Sequence, residues 1–293
     1  MAGDHRVLRG AIREPFRQVA VEAARHLWTC ADAEFIAVAE PGPEWWGERG
    51  RGYFGPAYEA IAARFPGQDG TGEAGRTQRE VDAVLRIAGA HFGEGPLRIL
   101  DLPCGSGRHA RALAERGHAV VGMDLQESLL RRAGPTPRAA ADMRRLPVAG
   151  GAFDLLLNLW NSFGYFDEEA EEIAALAEFR RVLRPGGLAL LHADLDTRAV
   201  AEGRWVQHMK VPLGDGALFL VREVPAAARR GLVCLSWVVL PDEEPWQSPP
   251  FFLRVLDDGD WERLAAAAGY RALHISRTPP GVVPHESIVS LLA

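Results

Sequence analysis

Two aspartates and a pair of glycines are spaced as a nucleotide-like ligand would need them. Asp101 lies in a short apolar run, Ile99 to Leu102, which is followed by Gly105 and Gly107 and then by a helical pattern opening near Arg108. Paired glycines allow a turn whose backbone approaches a ligand closely, and the free amides at a helix start favour a small anionic group. Asp124 ends a second apolar run, His118 to Leu125, about 20 residues beyond the loop, where a carboxylate meets the two hydroxyls of an adenosine ribose. A strand-to-helix turn needs glycine whether or not anything binds there. The second strand with its terminal carboxylate is what gives the loop a chemical meaning.

A dinucleotide enzyme and a methyltransferase both meet these requirements. What separates them is Asp101 ahead of the glycines, the acidic stretch Ala141-Asp142-Met143, the run Phe153 to Phe166, and Leu183-Arg-Pro-Gly-Gly-Leu188. In this order, from Arg76 to Ala193, the motifs resemble those of class I S-adenosylmethionine-dependent methyltransferases. The wording Asp101-Leu-Pro-Cys-Gly-Ser-Gly-Arg-His-Ala110 with Asn158-Leu-Trp-Asn-Ser-Phe-Gly-Tyr-Phe166 is similar to the bacterial small-molecule branch.

The resemblance implies an α/β, Rossmann-like sheet, mostly parallel with an antiparallel C-terminal strand and helices on both faces, and S-adenosylmethionine as cofactor. Asp101 with Leu102, Pro103, Gly105, Gly107 and Arg108 would hold the methionine part, with Asp101 toward the ammonium and loop amides or Arg108 toward the carboxylate. Asp124 would take the ribose and Asp142 the adenine amino group. Leu125 and Met143 would hold the ring, and Asn158 would complete the cofactor side. Capping of the helix at Gln126 by Asp124, and plain solvent exposure of Asp142, are the structural alternatives.

On the acceptor side, Trp160, Tyr165, Tyr53 and Asp194 are the candidate substrate-binding residues. Trp160 and Phe163 can equally serve as core anchors. His192 and Tyr165 are the candidate catalytic residues, because an imidazole titrates near neutrality and can take a proton from a hydroxyl acceptor; a buried, satisfied histidine is the alternative. Methyl transfer from a sulfonium is an in-line displacement that chiefly needs alignment, which can lower the barrier by roughly 7–11 kcal/mol. No base is strictly required. The fourth strand lacks the Asn/Asp-Pro-Pro-aromatic pattern of base-modifying methyltransferases, which points to a small-molecule acceptor and away from nucleobases.

The chain has 293 residues, 47% hydrophobic and 25% charged, as in an ordinary globular protein with one sizeable core and additions. Its net charge of −6 argues against nucleic acid as a partner. Arg131, Arg132, Arg138, Arg144 and Arg145 are scattered arginines of the kind that form a solvated face. Cys30, Cys104 and Cys234 are far apart and odd in number, fitting neither a disulfide framework nor a zinc site, so no metal is expected. Cys104 reads as a small residue fitting a tight turn. Without an apolar run of membrane length or a signal-peptide core, a cytoplasmic monomer or homodimer is expected.

Four segments are expected. Residues 1–75 read as an N-terminal helical lid, with Trp45, Trp46, Tyr53 and Tyr58 on a Gly/Pro/aromatic loop, and a flexible loop from Gln68 to Gly75 before a helix from Thr77. Residues 76–199 read as the cofactor-binding core, alternating strand and helix. Residues 200–257 read as an antiparallel insertion on the acceptor side with strands Trp205–Val211, Ala217–Val224 and Leu232–Leu240. Residues 258–293 add a helix and two last strands. The rival functions are an NAD(P)-dependent oxidoreductase and a non-catalytic cofactor-binding module.

Overall fold

A computed structural model describes residues 54, 72–131, 134–193, 200, 202, 205, 207–214, 217–226, 230–239, 246–247, 250–277 and 287–293. Strands β1 (Arg98–Asp101), β2 (Ala119–Asp124), β3 (Arg138–Ala140), β4 (Phe153–Asn158) and β5 (Leu183–Ala193) run parallel. With β11 (Ala272–Arg277) and β12 (Ser287–Leu292) they form a seven-stranded sheet in the order β11-β12-β5-β4-β1-β2-β3. β12 is antiparallel to both neighbours. This is the Rossmann-like arrangement that the motifs imply.

The apolar runs are continuous because both faces of the sheet are covered. Ile99, Leu155 and Leu157 face one core, shared with helices α1 (Gly72–Phe92) and α2 (Arg108–Glu115). Leu100 and Leu156 face the other, shared with the helices Glu169–Val182 and Asp258–Ala267. Between α2 and the first of these lies α3 (Glu127–Leu130), so the latter two are α4 and α5. In α1 the helical spacing of Val81, Val84 and Ala88 puts all three on the buried face. In α4, acidic Glu169, Glu171 and Glu172 occupy the first turn and Arg180 and Arg181 the last, complementing the helix dipole.

Several boundaries differ from expectation. Helix α1 opens at Gly72, so the loop expected up to Gly75 is partly helix; glycine is tolerated in a first turn, whose amides have no intrahelical acceptor in any case. The sequence predicts a helix from Gln126 to Ala133, but α3 is one turn long, ending before Gly134-Pro135. The sequence predicts a helix from Glu168 to Leu183 and a strand from Leu188 to Ala193, but β5 begins at Leu183: Leu183 pairs with Phe153, and a register shift with Gly186 at φ 75° absorbs the Pro-Gly-Gly stretch as a bulge.

The insertion is a second, antiparallel sheet of β6 (Gln207–Gly214), β7 (Ala217–Pro225), β8 (Gly231–Val239), β9 (Trp246–Gln247) and β10 (Phe251–Arg254), ordered β10-β8-β7-β6 with β9 also on β8. The sequence reading missed β9 and β10, which are short and sit beside proline. Val200, Leu232, Leu253 and Val255 make its buried cluster, and Tyr165 and Phe251 pack against it.

Candidate functional site

β1 is hydrogen-bonded to β2 on one side and β4 on the other, so the crossovers reverse direction there and leave a crevice beyond the carboxyl ends of β1 and β4. Asp101 and Asn158 stand at that edge, with Asp124 at the end of β2. Gly105 (φ 53°) and Gly107 (φ 76°) turn the chain from β1 into α2 through backbone conformations that favour glycine. A Cβ on Gly105 would meet no atom of the described residues within 4 Å, so they leave open space over the loop.

Asp101 is 1% exposed, and one of its oxygens accepts the Ala110 amide in the first turn of α2 at 3.2 Å. Burial, with a smaller push from Asp124, raises its carboxyl to about 7 against the opposing Arg108 charge and the Ala110 amide. A buried carboxylate so poised favours a cationic partner. Asn158 is fully buried; its amide nitrogen donates to the Leu102 carbonyl at 3.0 Å, while its Oδ1 has no hydrogen-bond partner among the described residues. A buried acceptor without a donor, next to a buried carboxylate and an open glycine turn, fits the ammonium-bearing end of S-adenosylmethionine.

Asp124 does the capping work of its structural alternative. One oxygen accepts the Gly105 amide at 2.8 Å and the other the Gln126 amide at 2.8 Å, so it ties the glycine loop to the start of α3. Burial raises its pKa against these backbone bonds, and each carboxylate oxygen keeps accepting capacity for a ribose hydroxyl. Leu125 is half-buried beside it. Asp142, one residue past the last β2–β3 contact, is not the solvated group of its structural alternative: the Arg144 guanidinium grips both oxygens, at 2.7 to 3.2 Å. Partial burial would raise its pKa, but the Arg144 hydrogen bonds and charge outweigh this and lower it.

Arg108 differs from expectation. Its guanidinium donates to Thr77 Oγ1 at 2.9 Å and Glu80 Oε2 at 2.5 Å on α1 and lies 5.6 Å from the centre of the Trp160 ring. A strong acidic partner on another helix claims it, so in this arrangement it is not reserved for a ligand carboxylate. Glu80 also accepts from His109 Nε2 at 2.7 Å. Burial opposes ionisation of Glu80, but the His109 hydrogen bond and the Arg108 charge bring it down to about 2. His109, nearly fully buried, is lowered to about 4. The sequence does not mark Arg76, Thr77 and Glu80 as site residues, since nothing local identifies residues of a preceding helix as neighbours of the glycine loop.

Trp160 is half-buried rather than a core anchor, lying 4.3 Å beneath Arg76 and 5.4 Å from the His192 ring, whereas Phe163 is core, against Phe166, Phe179 and Trp261. His192 Nδ1 accepts the Trp160 amide at 3.2 Å, and its carbonyl accepts the Asn161 amide at 3.0 Å. This holds a turn in which Trp160 and Asn161 have φ of 62° and 51°. With Nδ1 accepting, a neutral ring carries its proton on Nε2 and has no lone pair left for a substrate proton. Here His192 positions the Trp160 turn.

Tyr165 lies with Phe54 at 5.8 Å, against the insertion's cluster. The adjacent Gly164 carbonyl accepts the Arg254 amide of β10 at 2.7 Å, and a Cβ on Gly164 would lie 2.8 Å from the Arg254 carbonyl oxygen, so the loop after β4 docks closely on the insertion. Cys104 is a packing residue: its Sγ would be 2.8 Å from a Cβ on Gly122, and burial pushes its thiol up. Tyr53, Asp194, Trp45, Trp46, Tyr58 and Cys30 lie outside the described residues. Among the described residues, no helix is long and apolar enough to cross a membrane.

Residues 99–187 match a methyltransferase domain family. The chain is 27% identical over 192 residues to the dTDP-3-amino-3,4,6-trideoxy-alpha-D-glucopyranose N,N-dimethyltransferase of Streptomyces venezuelae, covering 62% of this chain and 79% of that one. It is 31% identical over 131 residues to the glycine/sarcosine N-methyltransferase of Parasynechococcus marenigrum, covering 41% and 45%. With the first four curated relatives the match spans only 40–51% of their lengths. Among solved structures, the CcbJ methyltransferase of Streptomyces caelestis aligns with a TM-score of 0.66 at 18% identity over 82% of this chain and 98% of that one. The amino pentose methyltransferase CalS10 of Micromonospora echinaspora, solved with S-adenosylmethionine bound, aligns at 0.61 and 20% over 81% and 97%. The match to a methyltransferase domain thus covers the glycine turn, β2, β4 and the start of β5, and the sheet that carries it has the fold of these solved methyltransferases.

Proposed function

We propose that this protein transfers a methyl group from S-adenosylmethionine to a nitrogen or oxygen of a small molecule, as a cytoplasmic enzyme acting on neither nucleic acid nor membrane. The observation that carries this reading is the cluster at the ends of β1, β2 and β4: buried Asp101, buried Asp124, and the unpartnered Asn158 Oδ1 around an open glycine turn. When bound, the cofactor supplies an electrophilic methyl on a sulfonium. Asp101 and Asn158 would fix its ammonium, Asp124 its ribose and Asp142 its base. Trp160 would line the reacting side, and Tyr165 with the insertion would shape the acceptor pocket. The protein's contribution is alignment and exclusion of water. An amine acceptor bound neutral needs no base, which accords with His192 being committed to the Trp160 turn. The match to an aminosugar N,N-dimethyltransferase across most of that enzyme favours nitrogen as the atom methylated.

The deciding experiment is calorimetry with S-adenosylmethionine, S-adenosylhomocysteine, NAD and NADP, followed by detection of S-adenosylhomocysteine release across a small-molecule acceptor library. Binding of the first two alone, with release in the presence of an amine or hydroxyl acceptor, is expected. Binding of a nicotinamide cofactor instead would overturn the proposal, and cofactor binding without turnover on any acceptor would favour a non-catalytic binding module.

A further inference from the structure

The sequence places Arg144 in a scattered set of arginines that reads as a solvated face; the structure puts it to a specific use. Its backbone amide donates to Asp142 Oδ1 at 2.8 Å. Its Nε is shared between Oδ1 at 3.2 Å and Oδ2 at 3.1 Å, and Nη2 donates to Oδ2 at 2.7 Å. Nη1 reaches Glu171 Oε1 at 2.5 Å, and the guanidinium lies 5.4 Å from the centre of the Phe166 ring. Glu171 itself caps α4, and the Leu146 amide donates to Glu178 of the same helix at 2.9 Å, so the turn carrying Asp142 and Arg144 is anchored to α4 at both ends.

An ionised carboxylate has about four lone-pair sites. Three N–H groups of Arg144 engage them in four contacts, the single Nε hydrogen being split between the two oxygens, which leaves room for about one more donor and none for another acceptor. Ala141, just before Asp142, donates its amide to the Asp124 carbonyl at 3.0 Å, which sets Asp142 beside the proposed ribose carboxylate. We infer that Arg144 is a positioning residue for base selection: by clamping Asp142 as a fixed acceptor it selects a cofactor base that presents an amino donor and rejects one that presents a carbonyl. The inference rests on the cofactor reading above.

The test measures dissociation constants for S-adenosylhomocysteine and for its hypoxanthine analogue, S-inosylhomocysteine, which differs by carbonyl for amino. A charge-assisted hydrogen bond gained by one ligand and denied to the other corresponds to roughly 10- to 100-fold preference for the amino form in the unaltered protein. In Arg144→Ala the carboxylate is free to turn and to take up water, so the preference is expected to drop below about 5-fold, chiefly through weaker binding of S-adenosylhomocysteine. Arg144→Lys, which restores charge but not the two-pronged grip, should recover part of it. Asp142→Asn, whose amide can turn its NH2 toward a carbonyl, should remove the preference altogether. Thermal midpoints of all variants separate lost selectivity from lost folding. An unchanged ratio in Arg144→Ala, or tighter binding of S-adenosylhomocysteine to it, would overturn the inference and leave the cofactor reading standing. Failure of the unaltered protein to bind either ligand would overturn the cofactor reading itself.

Discussion

If Asp101 receives the cofactor's ammonium as proposed, it couples ligand binding to proton release in a way that can be measured directly. Its carboxyl is 1% exposed and titrates at about 7, since burial outweighs the nearby Arg108 charge and the Ala110 amide. If a ligand ammonium binds only the ionised form, about one molecule in eleven is competent at pH 6 and about ten in eleven at pH 8. The apparent dissociation constant for S-adenosylhomocysteine should therefore tighten roughly tenfold between those values and then level off. Binding should release about half a proton at pH 7, seen by calorimetry as heats that vary with the ionisation enthalpy of the buffer. Asp101→Asn, which can still accept the Ala110 amide, should bind at least about tenfold more weakly and lose the pH dependence.

Stability should move the other way. The folded pKa of Asp101 is raised from an ordinary 3.8 to about 7. As pH rises through this window the unfolded chain gives up the proton first, so the native state loses on the order of 4 kcal/mol between pH 4 and pH 7 and no more above. The asparagine variant escapes this cost and should melt higher than the parent at pH 8 while binding ligand less well. A flat affinity profile from pH 6 to 8 with no buffer-dependent heat, or an Asp101→Asn variant less stable than the parent at pH 8, would refute the assignment of Asp101 as a buried carboxylate awaiting a cation.

Three other outcomes follow from the same geometry. Asp124→Ala strips two backbone amides of their acceptor and should cost about 2–5 kcal/mol of stability by denaturant unfolding, while Asp124→Asn keeps an acceptor oxygen and should lose cofactor affinity about tenfold with a smaller loss of stability. Glu80, lowered from 4.5 to about 2, contributes stability that is full above pH 4.5 and lost as pH falls toward 2; Glu80→Gln should remove on the order of 3 kcal/mol at neutral pH and flatten that acid limb in urea titrations. In His192→Asn, the side-chain oxygen can replace Nδ1 as acceptor for the Trp160 amide, so S-adenosylhomocysteine production with the acceptor found in the library should stay within about fivefold of the parent, whereas loss of a general base costs about 100-fold or more.

Much of the core was legible from sequence because the physics that specifies it is local. The runs Ile99 to Leu102 and Phe153 to Leu157 could only be buried on both faces, and Val81, Val84 and Ala88 could only face inward from a helix. The glycine turn and the strand-ending carboxylates Asp101 and Asp124 fall where their spacing put them. Tertiary structure decided the partners. Arg108 turns to Glu80 of the preceding helix, Arg144 clamps Asp142 instead of facing solvent, His192 accepts from the Trp160 turn, and Tyr165 joins Phe54 and the insertion. Spacing along a chain fixes which face of an element a side chain occupies. It carries no information about which charge or ring another element will bring against that face, and the protonation and hydrogen bonding of a site depend on that meeting.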